Sequence, residues 1–68
     1  MLDENIKVAD AIRIALEREK KAVEFYAEAV GITKDPGAKK MFEHLLKEEK
    51  RHVQILEDEL DKNIMTEM

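Results

Sequence analysis

The chain has no cysteine and no tryptophan, and only one proline and two glycines among its 68 residues. Without cysteine, it can form neither a disulfide framework nor a thiolate metal site. Aromatic residues make up 4% of the sequence and charged residues 41%, a balance typical of long helices. A chain this short buries only about 60% of its unfolded surface. We therefore expect a bound metal or oligomerisation to contribute to its stability.

Long apolar runs and basic patches are also missing. No stretch has the length of a membrane span, and no signal peptide is recognisable at the start, so we expect no membrane partner and a cytoplasmic location. The net charge is −4, with Lys and Arg interspersed among Asp and Glu. This distribution excludes nucleic acid as an expected partner.

The first half of the chain predicts one long helix, from about residue 5 to residue 30. Neither Gly nor Pro occurs in that range, and Ala, Glu, Lys, Ile and Leu dominate it. Asp3 or Asn5 can cap the start. Gly31 suits the position just past a helix C-terminus, where φ is often positive.

The second half predicts another helix, from residue 36 to about residue 62, after a loop over 31–35. Asp35 suits the N-cap and Pro36 the first helical position. We expect residues 63–68 to fray.

A short loop between two long helices predicts an all-α fold, an antiparallel two-helix hairpin, with residues 1–68 as a single half-domain. Two helices cannot cover each other's apolar faces all round. We therefore expect at least a homodimer, in which two hairpins form a four-helix bundle.

One carboxylate interrupts the apolar stripe of each helix. Steps of three and four residues from Glu19 reach apolar or aromatic side chains, namely Val8, Ala11, Ile12, Ala15, Leu16, Ala22, Val23, Tyr26, Ala27 and Val30. The same steps from Glu49 reach Ala38, Met41, Phe42, Leu45, Leu46, Val53, Leu56 and Leu60, with His52 among them. Buried carboxylates and an imidazole need a partner that offsets their desolvation, which suggests a metal ion.

Glu19 and Glu49 are predicted to lie at nearly the same height in the hairpin. Glu19 precedes Asp35 by sixteen residues and Glu49 follows it by fourteen, and both helices rise ~1.5 Å per residue. One chain then supplies one Glu and one Glu-x-x-His, and a two-fold dimer supplies two of each. That set predicts a carboxylate-bridged site for two iron or manganese ions.

Other polar and apolar residues leave alternatives open. Tyr26 can hydrogen-bond a metal ligand from a second shell, or be an aromatic core residue. His44, Glu48 and His52 have the i, i+4, i+8 spacing of a surface zinc site, although we favour a solvated His44 paired with Glu48. Apolar residues off both stripes hint at contacts beyond the dimer, namely Ile14, Phe25, Ile32 and Ile55.

Two segments resemble the iron-binding helices of rubrerythrin-type ferritin-like proteins. They are LEREKKAVEFY at residues 16–26 and FEHLLKEEKRH at residues 42–52. In organisation the chain is most similar to the encapsulated ferritins, which are two-helix half-ferritins. The resemblance implies a ferritin-like four-helix bundle with a di-iron site, in which Glu19 bridges both metals while Glu49 and His52 of each chain together ligate one metal.

The same resemblance implies a ferroxidase linked to iron storage, with a higher-order ring or an encapsulin shell as partner and an encapsulin compartment as location. The Cys-rich rubredoxin domain of ordinary rubrerythrins has no counterpart here, so we do not expect their complete peroxidase cycle. Residues 63–68 do not look like the docking tail of encapsulated ferritins.

Three functions follow as hypotheses. The first is a ferroxidase, with Glu19, Glu49 and His52 as metal-binding and catalytic residues, which oxidises Fe²⁺ with O₂ or peroxide. The second is a non-enzymatic helical interaction module whose polar core residues set register. The third is a redox-silent protein that binds Zn or Mn. Because four carboxylates in one dimer core repel each other, the first also predicts metal-linked dimerisation or stabilisation.

Overall fold

The computed structural model describes the backbone of residues 2–67 and the side chains of residues 2–64. In that part of the chain two α-helices, α1 (Val8–Ile32) and α2 (Pro36–Glu67), pack against each other as an antiparallel hairpin, and no strand is present. The predicted all-α hairpin is therefore confirmed. Its dimerisation into a four-helix bundle stays a prediction, as does the assignment of the chain to a single half-domain.

The start of α1 differs from the predicted capping at Asp3 or Asn5. The N-cap is Lys7, without a side-chain capping bond. The N–H of Asn5 instead donates to Asp3 Oδ1 at 2.8 Å, and the N–H of Ile6 donates to the Asp3 carbonyl at 3.0 Å. Asp3 thus forms a turn ahead of the helix, which is the usual competitor of capping for an aspartate.

The end of α1 also differs from the prediction for Gly31. Gly31 lies inside the helix, and no glycine among the described residues has a positive φ. The helix ends at Ile32 because the backbone becomes extended at Thr33, where φ is −76° and ψ is 125°. The N–H of Thr33 still donates to the Ala29 carbonyl at 2.9 Å, so the last turn closes without a left-handed residue.

The restart at Asp35 and Pro36 is as predicted, after a loop of only residues 33–35. Asp35 Oδ2 accepts a hydrogen bond from the N–H of Ala38 at 2.8 Å. Pro36 occupies the first helical position, where its missing N–H removes no helix bond.

The helix α2 continues to Glu67, beyond the end predicted near residue 62, and the fraying of residues 63–68 stays a prediction. Asn63 Nδ2 donates to the Glu59 carbonyl at 2.8 Å, within the helix. Met68 lies outside the described residues.

The hairpin buries few side chains. Among residues 2–64 the buried ones are Ala9, Leu16 and Ala29. Val8 and Met41, which the stripes predicted to lie in the core, are 64% and 51% exposed, and Ala27 is exposed as well. These three predictions are wrong for the single chain, because two helices touch along one line and leave the edges of each stripe uncovered.

In the described part of the chain, neither helix combines the length and the apolar content needed to cross a bilayer.

Candidate metal centre

The three residues singled out from the sequence meet halfway along the hairpin. Glu19 comes from α1, and Glu49 and His52 come from α2, one helical turn apart. One potential ligand atom from each lies within 4.8 Å of the other two. The equal heights inferred by counting residues from the loop are therefore present in the structure. The role of these residues as metal ligands stays a prediction.

His52 lies between the two glutamates without hydrogen-bonding to either. Its Nδ1 atom is 3.5 Å from Glu49 Oε2 and 3.7 Å from Glu19 Oε2. These distances suit ion pairs but exceed those of real hydrogen bonds. Among the described side chains, Glu19 Oε2 and Glu49 Oε2 are the buried polar atoms that have no hydrogen-bond partner.

Exposure differs strongly between the three side chains. Glu49 is 18% exposed, Glu19 31% and His52 47%. The two carboxylates are therefore more deeply buried between the helices than the imidazole. Nearly half of the imidazole remains available for contact with something outside the hairpin.

The arrangement fits a divalent metal ion. A buried carboxylate oxygen without a partner costs about 1–3 kcal/mol, and a cation between the oxygens offsets that cost. Two donors bound to one ion at ~2.0–2.2 Å can be no more than about 4.4 Å apart. Both separations from His52 Nδ1, 3.5 Å and 3.7 Å, satisfy that limit, and all three ligand atoms lie within 4.8 Å of one another. Oxygen donors with one imidazole suit iron, manganese or zinc and not a metal that requires thiolates.

The alternative surface zinc site is not formed in the structure. His44 is exposed, and among residues 2–64 no ion pair joins it to Glu48, so the pairing that we favoured from the sequence is absent. The group of potential ligands in the described part of the chain consists of Glu19, Glu49 and His52.

Tyr26 lies two helical turns beyond Glu19, which is about 10 Å along the helix axis. Its ring packs edge-on against Phe25, with centroids 5.4 Å apart, and lies 6.2 Å from the ring of Phe42 on α2. These contacts fit the aromatic core alternative. They do not place the hydroxyl group next to a metal ligand.

Comparison with known protein families gives one result. The family model of rubrerythrin matches residues 1–60. The chain belongs to the rubrerythrin family. No curated protein and no solved structure matches it.

Membership of the rubrerythrin family gives the Glu/His group a chemical context. Rubrerythrins are ferritin-like proteins that typically bind iron, and the family generally covers redox di-iron proteins. The match includes all three residues of the candidate site. A closer relationship to the encapsulated ferritins is not confirmed by this match.

Proposed function

We propose that this chain is a ferroxidase, which oxidises Fe²⁺ to Fe³⁺ at a di-iron site formed between two copies of the hairpin. The observation that carries the proposal is the pair of buried, unpartnered oxygens of Glu19 and Glu49, which meet His52 from facing helices. A positive charge between two buried carboxylate oxygens that lack hydrogen-bond partners offsets the cost of their burial. Iron is the ion that proteins of this family typically bind.

In this proposal Fe²⁺ is the substrate, and the protein's contribution is electrostatic. Negative carboxylates stabilise Fe³⁺ more than Fe²⁺, which makes loss of an electron more favourable. Two Fe²⁺ give up one electron each. These two electrons, with two protons, reduce O₂ to hydrogen peroxide, or hydrogen peroxide to two molecules of water.

A second copy of the chain completes the ligand set. One hairpin offers three donor groups, and a two-fold dimer offers six, four of them carboxylates. Glu19 is the residue assigned to both ions, while Glu49 and His52 of each chain hold one ion. Since a dimer encloses no space for mineral, storage of the oxidised iron requires a ring of dimers or an encapsulin-type shell around them.

Anaerobic titration with Fe²⁺, followed by addition of air, tests the proposal through the ultraviolet absorbance of Fe³⁺. We expect binding of about one iron per chain, as the two-metal dimer requires, and rapid oxidation of the bound iron. Glu19→Ala should abolish both. Glu24→Gln is the matched control, because Glu24 is an exposed glutamate on the same helix. If Glu19→Ala left binding and oxidation unchanged, the proposed site would be wrong.

The donor set itself favours a second candidate, a redox-silent Zn or Mn protein, because the same oxygens and imidazole suit those ions. Binding of Fe²⁺ without oxidation, together with tighter binding of Zn²⁺ or Mn²⁺, would support that function. If none of the three ions bound, the remaining hypothesis would be the helical interaction module. The contacts of His52 with Glu19 and Glu49 would then be purely structural ion pairs.

A further inference from the structure

The aromatic residues of the chain, two phenylalanines and one tyrosine, lie together at the loop end of the hairpin. The ring of Tyr26 lies 5.4 Å from that of Phe25 on α1 and 6.2 Å from that of Phe42 on α2, measured between centroids. Tyr26 and Phe42 are partly covered, because they meet where the two helices pack. Phe25 is 61% exposed, so most of its ring is open to molecules outside the hairpin.

A cleft of about 320 Å³ opens beside these rings. It is lined from α1, from the loop and from α2 by Phe25, Glu28, Ala29, Ile32, Thr33 and Phe42. Its volume lies at the lower end of the ~300–1,000 Å³ that is usual for small-molecule sites. The cleft is therefore large enough for one small molecule. Its lining and the candidate metal centre have no residue in common.

The shape of the cleft follows from the spacing of its residues on α1. Ala29 follows Phe25 by four residues and precedes Ile32 by three, which places all three on one face of the helix. Ala29 is 8% exposed, whereas Phe25 and Ile32 are 61% and 71% exposed. A methyl group between two large side chains leaves a recess, and Phe42 lines that recess from α2. A larger residue at position 29 would fill it.

The cleft favours positive charge. Among the described residues that line it, Glu28 is the one with a charged side chain, since Lys34 lies next to Thr33 in the chain but outside the lining. The cleft also lies at the C-terminal end of α1, where the helix dipole carries a partial negative charge, and the last turn of α1 contains no basic residue. The opposite partial charge at the start of α2 is offset by Asp35, whose Oδ2 accepts a hydrogen bond from the N–H of Ala38 at 2.8 Å.

We propose that this cleft binds a small organic cation, an ammonium group on a flat aromatic body. The ammonium group pairs with the carboxylate of Glu28, while the body packs against Ile32 and the rings of Phe25 and Phe42. The face of a phenyl ring attracts a cation, and the aromatic body removes apolar surface of the cleft from water. The inference goes beyond the proposed function and does not depend on it, because the two sites share no residue.

Titration with three probes that share a phenyl ring tests the preference for charge. They are the cation benzyltrimethylammonium, the neutral benzyl alcohol and the anion phenylacetate. We expect saturable binding of the cation with a Kd of about 1 mM, as for a small fragment. Benzyl alcohol should bind about fivefold more weakly, since one exposed ion pair contributes up to about this factor, and phenylacetate more weakly still.

Nuclear magnetic resonance of the ¹⁵N-labelled chain in chelator locates the bound probe. The amide shifts caused by benzyltrimethylammonium should be largest at Ala29 and Thr33, which line the cleft. Three results would overturn the inference: no saturable binding of the cation, tighter binding of phenylacetate than of the cation, or the largest shifts at Glu49 and His52.

Two substitutions of glutamate test the role of the carboxylate. Glu28→Gln should weaken binding of benzyltrimethylammonium about fivefold and leave binding of benzyl alcohol unchanged. Glu24→Gln is the matched control, since Glu24 is an exposed glutamate one turn earlier on α1 that does not line the cleft. Equal effects of the two substitutions would contradict the pairing of the ammonium group with Glu28.

Two further substitutions test the recess. Ala29→Leu should abolish binding of benzyltrimethylammonium and benzyl alcohol, because the larger side chain fills the cleft, and circular dichroism checks that the variant stays helical. Phe25→Ala serves if Ala29→Leu does not fold, since Phe25 is exposed, and it should weaken both probes by about threefold or more. If Phe25→Ala instead raised the dissociation constant of a dimer in sedimentation, and the parent chain bound no probe, a second copy would occupy the cleft and the inference would be wrong.

Discussion

Replacing Glu19 by glutamine should stabilise the metal-free protein. The Glu19 and Glu49 ligand oxygens are at most 4.8 Å apart. Two negative charges at that distance repel by about 1 kcal/mol in water and about 3.5 kcal/mol at an effective dielectric constant of 20. Glutamine keeps the shape of the side chain, removes the repulsion, and can donate its amide N–H to the unpartnered Glu49 Oε2.

The net gain should be smaller than the repulsion itself. Glu19 is 31% exposed, so solvent screens its charge, and the substitution also removes its ion pair with His52 at 3.7 Å. We therefore expect the free energy of unfolding to rise by about 1 kcal/mol. For a domain of this size that gain corresponds to an increase of about 4–8 °C in melting temperature.

The same substitution should have the opposite effect once metal is present. A metal ion that binds only the folded protein stabilises it by about 2.7 kcal/mol at one hundred times its dissociation constant. Glu19→Gln should lose most of this stabilisation, because it replaces a charged ligand by a neutral amide. Thermal unfolding in chelator and in Mn²⁺, at one fixed protein concentration, measures both effects. Mn²⁺ is used in place of Fe²⁺ so that the effect of metal binding is measured without oxidation of iron.

Glu24→Gln supplies the control, since its exposed side chain should change the melting temperature by the same small amount with and without metal. Two results would refute the reasoning. If Glu19→Gln melted below the parent chain in chelator, Glu19 would be a structural partner of His52. If parent and variant gained equally from Mn²⁺, Glu19 would not be a ligand.

The remaining predictions concern single side chains. Asp35→Ala removes the bond from Ala38 N–H to Asp35 Oδ2 and should lower the free energy of unfolding in urea by about 1 kcal/mol; an unchanged value would mean that the cap contributes nothing. Gly31→Ala should raise it by about 0.5–1 kcal/mol, because Gly31 is helical and an added Cβ meets nothing within 4 Å. A loss would show that Gly31 needs its special backbone freedom in solution. Tyr26→Phe should leave the rate of iron oxidation unchanged, because the ring lies among Phe25 and Phe42, and slower oxidation would assign the hydroxyl to the metal centre.

The sequence predicts the hairpin well where one strong local signal acts alone. Asp35 followed by Pro36 has no competing interpretation, and α2 begins where these residues predict. The signal at Gly31 is weaker, because a positive φ there is predicted only from the frequency of such glycines just after helix C-termini. Because the helix ends with an extended backbone at Thr33, no glycine with a positive φ is needed there. Asp3 fails as a cap for a similar reason, since its side chain bonds to Asn5 instead.

The candidate site could be predicted because its geometry depends only on helix periodicity and loop length. Both are regular enough to place Glu19 and Glu49 at one height from residue counts alone. Exposure could not be predicted in this way, because a stripe shows which residues face inward but not what covers them. Val8 and Met41 lie on the stripes and are exposed, since a single neighbouring helix covers only the centre of each stripe.

Two features make the isolated hairpin less stable, and a metal-bound dimer would remove both. Large apolar side chains such as Met41 and Ile55 are exposed, and two carboxylate oxygens between the helices have no hydrogen-bond partner. In the proposed dimer a second copy would cover these exposed apolar side chains, and a cation would neutralise the carboxylates. A chain optimised for stability alone would carry leucine at positions 19 and 49, where the apolar stripes call for it. We therefore expect glutamate at both positions to lower the stability of the metal-free hairpin, and the proposed function then predicts that its assembly depends on a bound ion.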